Sequence, residues 1–150
     1  MTHELEIERI ALGMVGCTLP KPEWTHRAHF AAALWLLAHP DVLAREGGMA
    51  PLIRRYNDAT GTANTATSGY HETITLASLR GAAALRAAMP GAPLGEVLDA
   101  LMAGELGDKR WPLAYWSEAR LMSPEARAAW AEPDRVSLPW PPLALLGEAG

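Results

Sequence analysis

The chain has a single cysteine, Cys17, among its 150 residues, so it cannot form an internal disulfide. Its longest uninterrupted apolar run, Phe30 to Ala38, is far shorter than the ~20 residues that a membrane-spanning helix requires. The N-terminal segment, Met1 to Glu4, lacks the basic and apolar regions of a secretory signal. These absences together predict a protein of the reducing cytoplasm that has no contact with a membrane.

Clustered positive charge is also absent. The formal net charge is −4 and the arginines are scattered, with Arg54-Arg55 as the one basic pair of note. Nucleic-acid binding requires positive charge gathered on one surface, so a nucleic-acid partner is not expected. The loop Gly61 to Thr65 lacks the phosphate-binding pattern GxxxxGK[ST], and Gly13 to Gly16 follows no strand. The sequence therefore contains no nucleotide-binding fingerprint.

No segment alternates polar and apolar residues between turn dipeptides, so no strand is predicted. Apolar spacing, capping residues and prolines instead predict helices over about 2–15, 26–39, 51–60, 71–89, 93–103, 111–121 and 123–130. A chain of this length fits one domain. We predict a single all-α domain over residues 1–150, with about five to seven helices. The Pro-rich tail from about residue 133 is expected to be extended, with Leu138 and Trp140 packed on the domain.

Two histidine motifs stand where irregular segments lead into apolar helices. Thr25-His26-Arg27-Ala28-His29 follows a Pro-rich run, and Tyr70-His71-Glu72-Thr73 follows a loop of small polar residues. The positive end of a helix disfavours protonated imidazole, so both motifs favour neutral histidine. Neutral imidazole is the form that binds a metal or accepts a proton.

The spacing of the histidines suggests a metal site. His26 and His29 are three residues apart, so on a helix they project from one face. That pair alone is a weak indication, but His71 with its neighbouring carboxylate Glu72 strengthens it. Three histidines, with or without a carboxylate, suit zinc, iron, nickel or copper and leave positions for water and substrate. The hypothesis requires the two helix starts to meet in space.

Each of these residues also has a structural interpretation. The histidines can tie loop carbonyls to helix starts, and Glu72 is favourable in a first helical turn without any function. Trp24 and Tyr70, which precede the two motifs, can line an apolar pocket or serve as hydrophobic staples.

Four elements together resemble a family of small bacterial proteins that has no assigned activity. They are the THxxH motif at 25–29, Tyr-His-Glu-Thr-Ile-Thr at 70–75, Tyr-Trp-Ser-Glu-Ala-Arg-Leu-Met-Ser at 115–123, and the Pro-Asp and Leu-Pro pairs of the tail. The resemblance covers most of the chain and implies no reaction. It adds Tyr115, Ser117 and Arg120 as groups that could fold back on the histidines. Ser117 as a helix cap and Arg120 in a surface ion pair are the structural alternatives.

The leading hypothesis is a metal-dependent enzyme acting on a small molecule, in which the metal ligands are His26, His29, His71 and Glu72. Zinc would favour hydrolysis because its bound water has a pKa of about 7, whereas iron would favour oxygenase chemistry. The candidate catalytic residues are Glu72, Tyr70, Tyr115 and Arg120. The alternatives are a metal-free protein that binds an acidic or polar small molecule at two helix starts, and an interaction module with structural histidines. The sequence gives no indication of the oligomeric state.

Overall fold

The computed structural model of the chain describes residues 3–143. Within that range the secondary structure is helical and contains no strand, which confirms the predicted all-α class. The α-helices of this range are α1 (His3–Val15), α2 (His26–Ala38), α3 (Pro40–Arg45), α4 (Met49–Ala59), α5 (Glu72–Ala88), α6 (Leu94–Ala103), α7 (Glu118–Leu121) and α8 (Pro124–Ala128). These eight outnumber the predicted five to seven because the short segment that begins at Pro40 forms a helix of its own, α3, with six residues. No helix of the described range is both long and apolar enough to cross a membrane.

Helix α2 lies at the centre of the core because it is apolar on nearly all sides. Nine of its 13 residues are buried, and it packs against α1, α5 and α6. Each large apolar side chain contributes about 1.5–3 kcal/mol when fully buried, so α2 contributes a large part of the stability. Thr25 fixes the start of the helix, since its Oγ1 accepts the Ala28 N–H at 3.2 Å. Pro40 follows its last turn and disfavours helical backbone at His39.

Helix α5 is bound at its start to the C-terminal helices. The Thr73 hydroxyl is fully buried, donates to the Ala126 carbonyl at 2.7 Å and accepts the Ala131 N–H at 3.1 Å. Further along, the Arg80 guanidinium lies 4.1 Å from the centroid of the Trp130 ring. These contacts fix the position of the first turns of α5, which carry the second histidine motif.

The segment predicted as one helix over 111–121 is divided. A 3-10 turn covers Trp111–Ala114, and α7 begins only at Glu118. Ser117 between them has extended backbone because the Asp134 carboxylate accepts both its N–H and its hydroxyl, at 2.7 and 2.6 Å. A contact with a residue 17 positions away therefore overrides the helical pattern.

The Pro-rich tail continues without helix from residue 129 to residue 143. Leu138 and Trp140 are partly buried against the core, and the Trp140 ring meets Trp111 with centroids 5.7 Å apart. Residue 2 at the start of the predicted first helix, and the end of the predicted domain and tail from residue 144, lie outside the described residues.

Candidate functional site

His26 and His29 lie in the first turn of α2 and line one cavity. This cavity has a volume of about 100 Å³ and lies between α2, α4 and α5. The other lining side chains include Trp24, Phe30, Met49, Thr75 and Ser78. We call it the histidine cavity. It combines aromatic and aliphatic walls with two imidazoles and two hydroxyls, a composition typical of small-molecule sites.

His29 has no hydrogen-bond partner among the described residues, and its ring packs on Trp24 with centroids 4.1 Å apart. Protein surrounds the imidazole on most sides, and this burial, together with nearby His26, lowers the pKa of His29 well below its usual range. The residue also remains exposed to water. At neutral pH His29 therefore presents a neutral ring with one donor and one acceptor.

His26 is held in a fixed orientation by the turn after α6. Its Nε2 lies 2.7 Å from the carbonyl oxygen of Leu106, in the 3-10 turn Glu105–Gly107. A carbonyl only accepts, so Nε2–H donates, and Nδ1 is the ring nitrogen that makes no hydrogen bond with the described residues. The ring also meets Phe30 edge-on, with centroids 5.3 Å apart. His26 thus holds the turn after α6 through one ring nitrogen and lines the cavity with the rest of its ring.

His71 is buried and uses both ring nitrogens in the fold. Its Nδ1 accepts the Ile74 N–H at 3.1 Å, which makes it the N-cap of α5. Its Nε2–H donates to the carbonyl oxygen of Leu121, the last residue of α7, at 2.7 Å. Burial lowers the pKa of His71, the hydrogen bond to Leu121 opposes this, and the Arg127 guanidinium lowers the pKa further. His71 therefore joins two helices as a neutral ring.

Tyr70 and Glu72 line a second and larger cavity, of about 290 Å³. The Tyr70 hydroxyl donates to Glu72 Oε1. Burial raises the pKa of Tyr70, and the hydrogen bond to Glu72 raises it further, so the hydroxyl remains protonated. We call this the Glu72 cavity. Met49 and Leu79 line both cavities, so the two cavities are neighbours.

The residues added by the family resemblance line neither cavity. The Tyr115 hydroxyl donates to Glu105 Oε2 at 2.8 Å, and burial followed by this bond raises the pKa of Tyr115 to about 12. Arg120 Nε donates to the Glu132 carbonyl at 2.7 Å. Ser117 caps α7 by accepting the Arg120 N–H at 3.2 Å. These groups support the C-terminal segment, and Tyr115 reaches the histidines only indirectly, through the turn that holds His26.

The predicted metal ligands do not come together as one group. Among the described residues, no set of three or more His, Cys, Asp or Glu side chains is arranged to hold a metal ion. His71 binds α7, Glu72 lines the neighbouring cavity, and the Nδ1 lone pair of His71 already accepts a backbone N–H. The four side chains therefore do not form one metal centre in this structure. The metal site stays a prediction.

Thr75 and Ser78 also line the histidine cavity but are not among the candidates predicted from the sequence, although their spacing could have identified them. Glu72, Thr75 and Ser78 recur every three residues along a helix otherwise rich in alanine and leucine. This spacing places them on one face, and that face borders both cavities. Met49 carried no comparable signal, because its role depends on how α4 packs against α5.

Comparison with known proteins does not extend these findings to a family: no protein-family model, no curated protein and no solved structure matches the chain.

Proposed function

We propose that the protein binds a small molecule in the histidine cavity. The observation that carries the proposal is His29, a neutral imidazole that is open to water and has no hydrogen-bond partner in the described part of the chain. A polar group within protein walls stabilises a ligand that completes its hydrogen bonds. The hydroxyls of Thr75 and Ser78 line the same cavity and supply further donors and acceptors.

The ligand class follows from the charge state of His29. A neutral ring offers a donor and an acceptor, which matches a compact neutral group such as an amide or an alcohol. An anion would favour protonated His29, which the lowered pKa opposes. The start of α2 offers little compensation, because Thr25 already accepts the Ala28 N–H. The sequence leaves open an acidic or a polar ligand, and we therefore propose a polar, uncharged one.

Binding is a better match to this cavity than proton transfer. A general base works best when its pKa lies near the working pH, whereas burial moves the pKa of His29 further below neutral pH. We assign no reaction to the cavity. We keep the cytoplasm as the proposed location, because Cys17 is free and free thiols are typical of reducing compartments.

The test is a nuclear magnetic resonance titration of the labelled protein with acetamide, and with acetate as the charged isostere. We expect acetamide to shift the His29 ring nitrogens and the amides of Thr75 and Ser78 saturably, and acetate to bind more weakly. His29→Phe keeps the contact with Trp24 and removes both ring nitrogens, so it should weaken acetamide binding roughly tenfold. His39→Phe is the matched control, because His39 lies at the other end of α2 and does not line the cavity.

Two results would overturn the proposal. One is an affinity for acetamide that is equal in the protein and in His29→Phe. The other is about one equivalent of zinc or iron in protein purified without chelator or nickel resin, lost in a His26→Ala/His71→Ala variant. That second result would support the predicted metal-dependent enzyme instead.

A further inference from the structure

The Glu72 cavity has the composition of a separate ligand site. Its volume of about 290 Å³ lies just below the roughly 300–1,000 Å³ of small-molecule pockets. Most of its lining residues are aliphatic and come from α3, α4 and α5, including Leu43, Met49, Leu76 and Leu79. Among its lining residues, Glu72 is the one charged group.

The Glu72 carboxylate has room for a further partner. Its Oε1 accepts the Tyr70 hydroxyl, and Oε2 accepts no hydrogen bond from the described residues. No cationic side chain of the described chain forms an ion pair with it. A half-buried carboxylate without a cation is less well solvated than one in water, so a cationic group that reaches it gains a charge-assisted hydrogen bond.

Tyr70 holds this carboxylate in place and leaves its charge unchanged. Its hydroxyl donates the hydrogen bond to Oε1, so it carries its proton and adds no charge to the cavity. The Arg54 guanidinium lies over the Tyr70 ring, 5.0 Å from the centroid, but it neither forms an ion pair with Glu72 nor lines the cavity. The lining of the cavity therefore carries one net negative charge.

We infer that the Glu72 cavity binds a small organic ammonium ion, with its charged nitrogen at Glu72 and its apolar group among the leucines and Met49. A hydrated metal ion fits less well, since one carboxylate supplies too few oxygen ligands and the leucines supply none. An anion would face the Glu72 charge. The site does not depend on the ligand proposed for the histidine cavity, because it rests on different polar groups.

The experiment is a titration with benzylammonium chloride in phosphate buffer at neutral pH, with benzyl alcohol as the uncharged analogue. The backbone amides of Gly47 and Gly48 report binding by nuclear magnetic resonance, because both glycines line this cavity and do not line the histidine cavity. We expect saturable shifts with the ammonium ion and weaker or absent shifts with the alcohol. Added salt should weaken binding of the ammonium ion alone.

Glu72→Gln should weaken benzylammonium binding by about tenfold to a hundredfold, as expected for the loss of a charged hydrogen bond. Glu96→Gln is the matched control, because Glu96 occupies the first turn of α6 as Glu72 does in α5, and it is exposed and outside the cavity. Glu72→Asp keeps the charge and should retain part of the affinity if the amide variant folds poorly. Equal binding of alcohol and ammonium ion, an unchanged affinity in Glu72→Gln, or no saturable shift at Gly47 and Gly48 would overturn the inference. None of these results bears on acetamide binding at His29.

Discussion

At the scale of single residues, His71 shows how a histidine in a motif can be required by the fold alone. One ring nitrogen caps α5 and the other holds the end of α7. Both bonds are made by a residue that is 7% exposed. The loss of either one leaves a buried backbone group without a partner, which costs about 1–3 kcal/mol.

His71→Ala is therefore expected to lower the free energy of unfolding by about 2–4 kcal/mol, from a lost cap and an unpaired Leu121 carbonyl. His71→Asn keeps a capping side chain and should recover about 1 kcal/mol of that loss. Urea denaturation measures all these values. Thr25→Ala, which removes only the cap of α2, should cost about 1 kcal/mol and serves as the reference. A His71→Ala value no larger than this reference would contradict the two-bond role.

The two histidine motifs also show how far single residues of the site can be predicted from the sequence. The spacing of His26 and His29 predicted a shared face, and both line one cavity. The adjacency of His71 and Glu72 suggested a shared site, yet their side chains diverge to α7 and to the Glu72 cavity. Neighbouring residues at a helix start point in different directions, and the packing of distant elements decides which of them meets the first motif.

At the scale of elements, the loop before α5 positions the second motif. Asn64 Oδ1 accepts the Tyr70 N–H at 3.0 Å and an Asn57 side-chain N–H at 2.9 Å. Gly69 turns the chain with a φ of +81°. A Cβ there would overlap the carbonyl oxygen of Ala63 and lie 2.7 Å from Asn64 Oδ1. The loop thus requires glycine for its dihedral angle and for close contact.

Gly69→Ala should destabilise the protein more than Gly61→Ala, although the two glycines have nearly equal φ values of +81° and +83°. A Cβ at Gly61 has nothing within 4 Å. That variant should therefore lose only the free energy that an alanine pays for left-handed backbone, about 1–2 kcal/mol. Gly69→Ala should lose about 1–3 kcal/mol more, the usual range for an overpacked site. Urea denaturation of the two variants gives the difference in their free energies of unfolding, which measures the cost of the close contact at Gly69. Equal free energies would show that the loop relaxes around the added Cβ.

Most elements could be predicted because their ends are encoded locally. Pro40, the Gly69-Tyr70 turn and the Ser123-Pro124 cap all lie within a few residues of the helix ends that they define. The division of 111–121 could not be predicted, because the Asp134 carboxylate that causes it comes from a distant part of the chain. Helix ends that neighbouring residues define can thus be predicted from the sequence. Helix ends that a distant residue defines, such as the one at Ser117, cannot.

At the scale of the whole molecule, the core around α2 leaves two neighbouring cavities of different chemistry. One offers imidazoles and hydroxyls, and the other offers a carboxylate among aliphatic groups. The sequence indicated the histidines and Glu72 but not the two hydroxyls, and the division of these groups between two cavities depends on how Met49 and Leu79 pack. The electrostatics of the folded chain also affect its stability as a whole, since His29 and His71 both favour the neutral form.

This preference predicts that the protein loses stability in mild acid. An unfolded histidine has a pKa of about 6.5, whereas burial lowers the pKa of His71 in the folded state. Below about pH 6.5 the unfolded chain therefore takes up a proton that the folded chain excludes, and the free energy of unfolding falls as the pH falls. His71 should contribute up to about 1.36 kcal/mol per pH unit below about pH 6.5, which is the limit for one proton. His29 acts in the same direction, with a smaller share because water reaches it.

Urea denaturation at pH 7.5, 6.5, 5.5 and 5.0 measures this loss, and His71→Asn should flatten the curve because asparagine does not titrate. The carboxylates with a lowered pKa, Glu6, Glu46 and Asp134, stabilise the folded state above their unfolded pKa of about 4. Their contribution is lost only below that value, so it does not enter the chosen range. A free energy of unfolding that stays constant or rises from pH 7.5 to pH 5.0 would show that His71 accepts a proton in the folded state. The hydrogen bond from Ile74 to its Nδ1 would then be absent in solution.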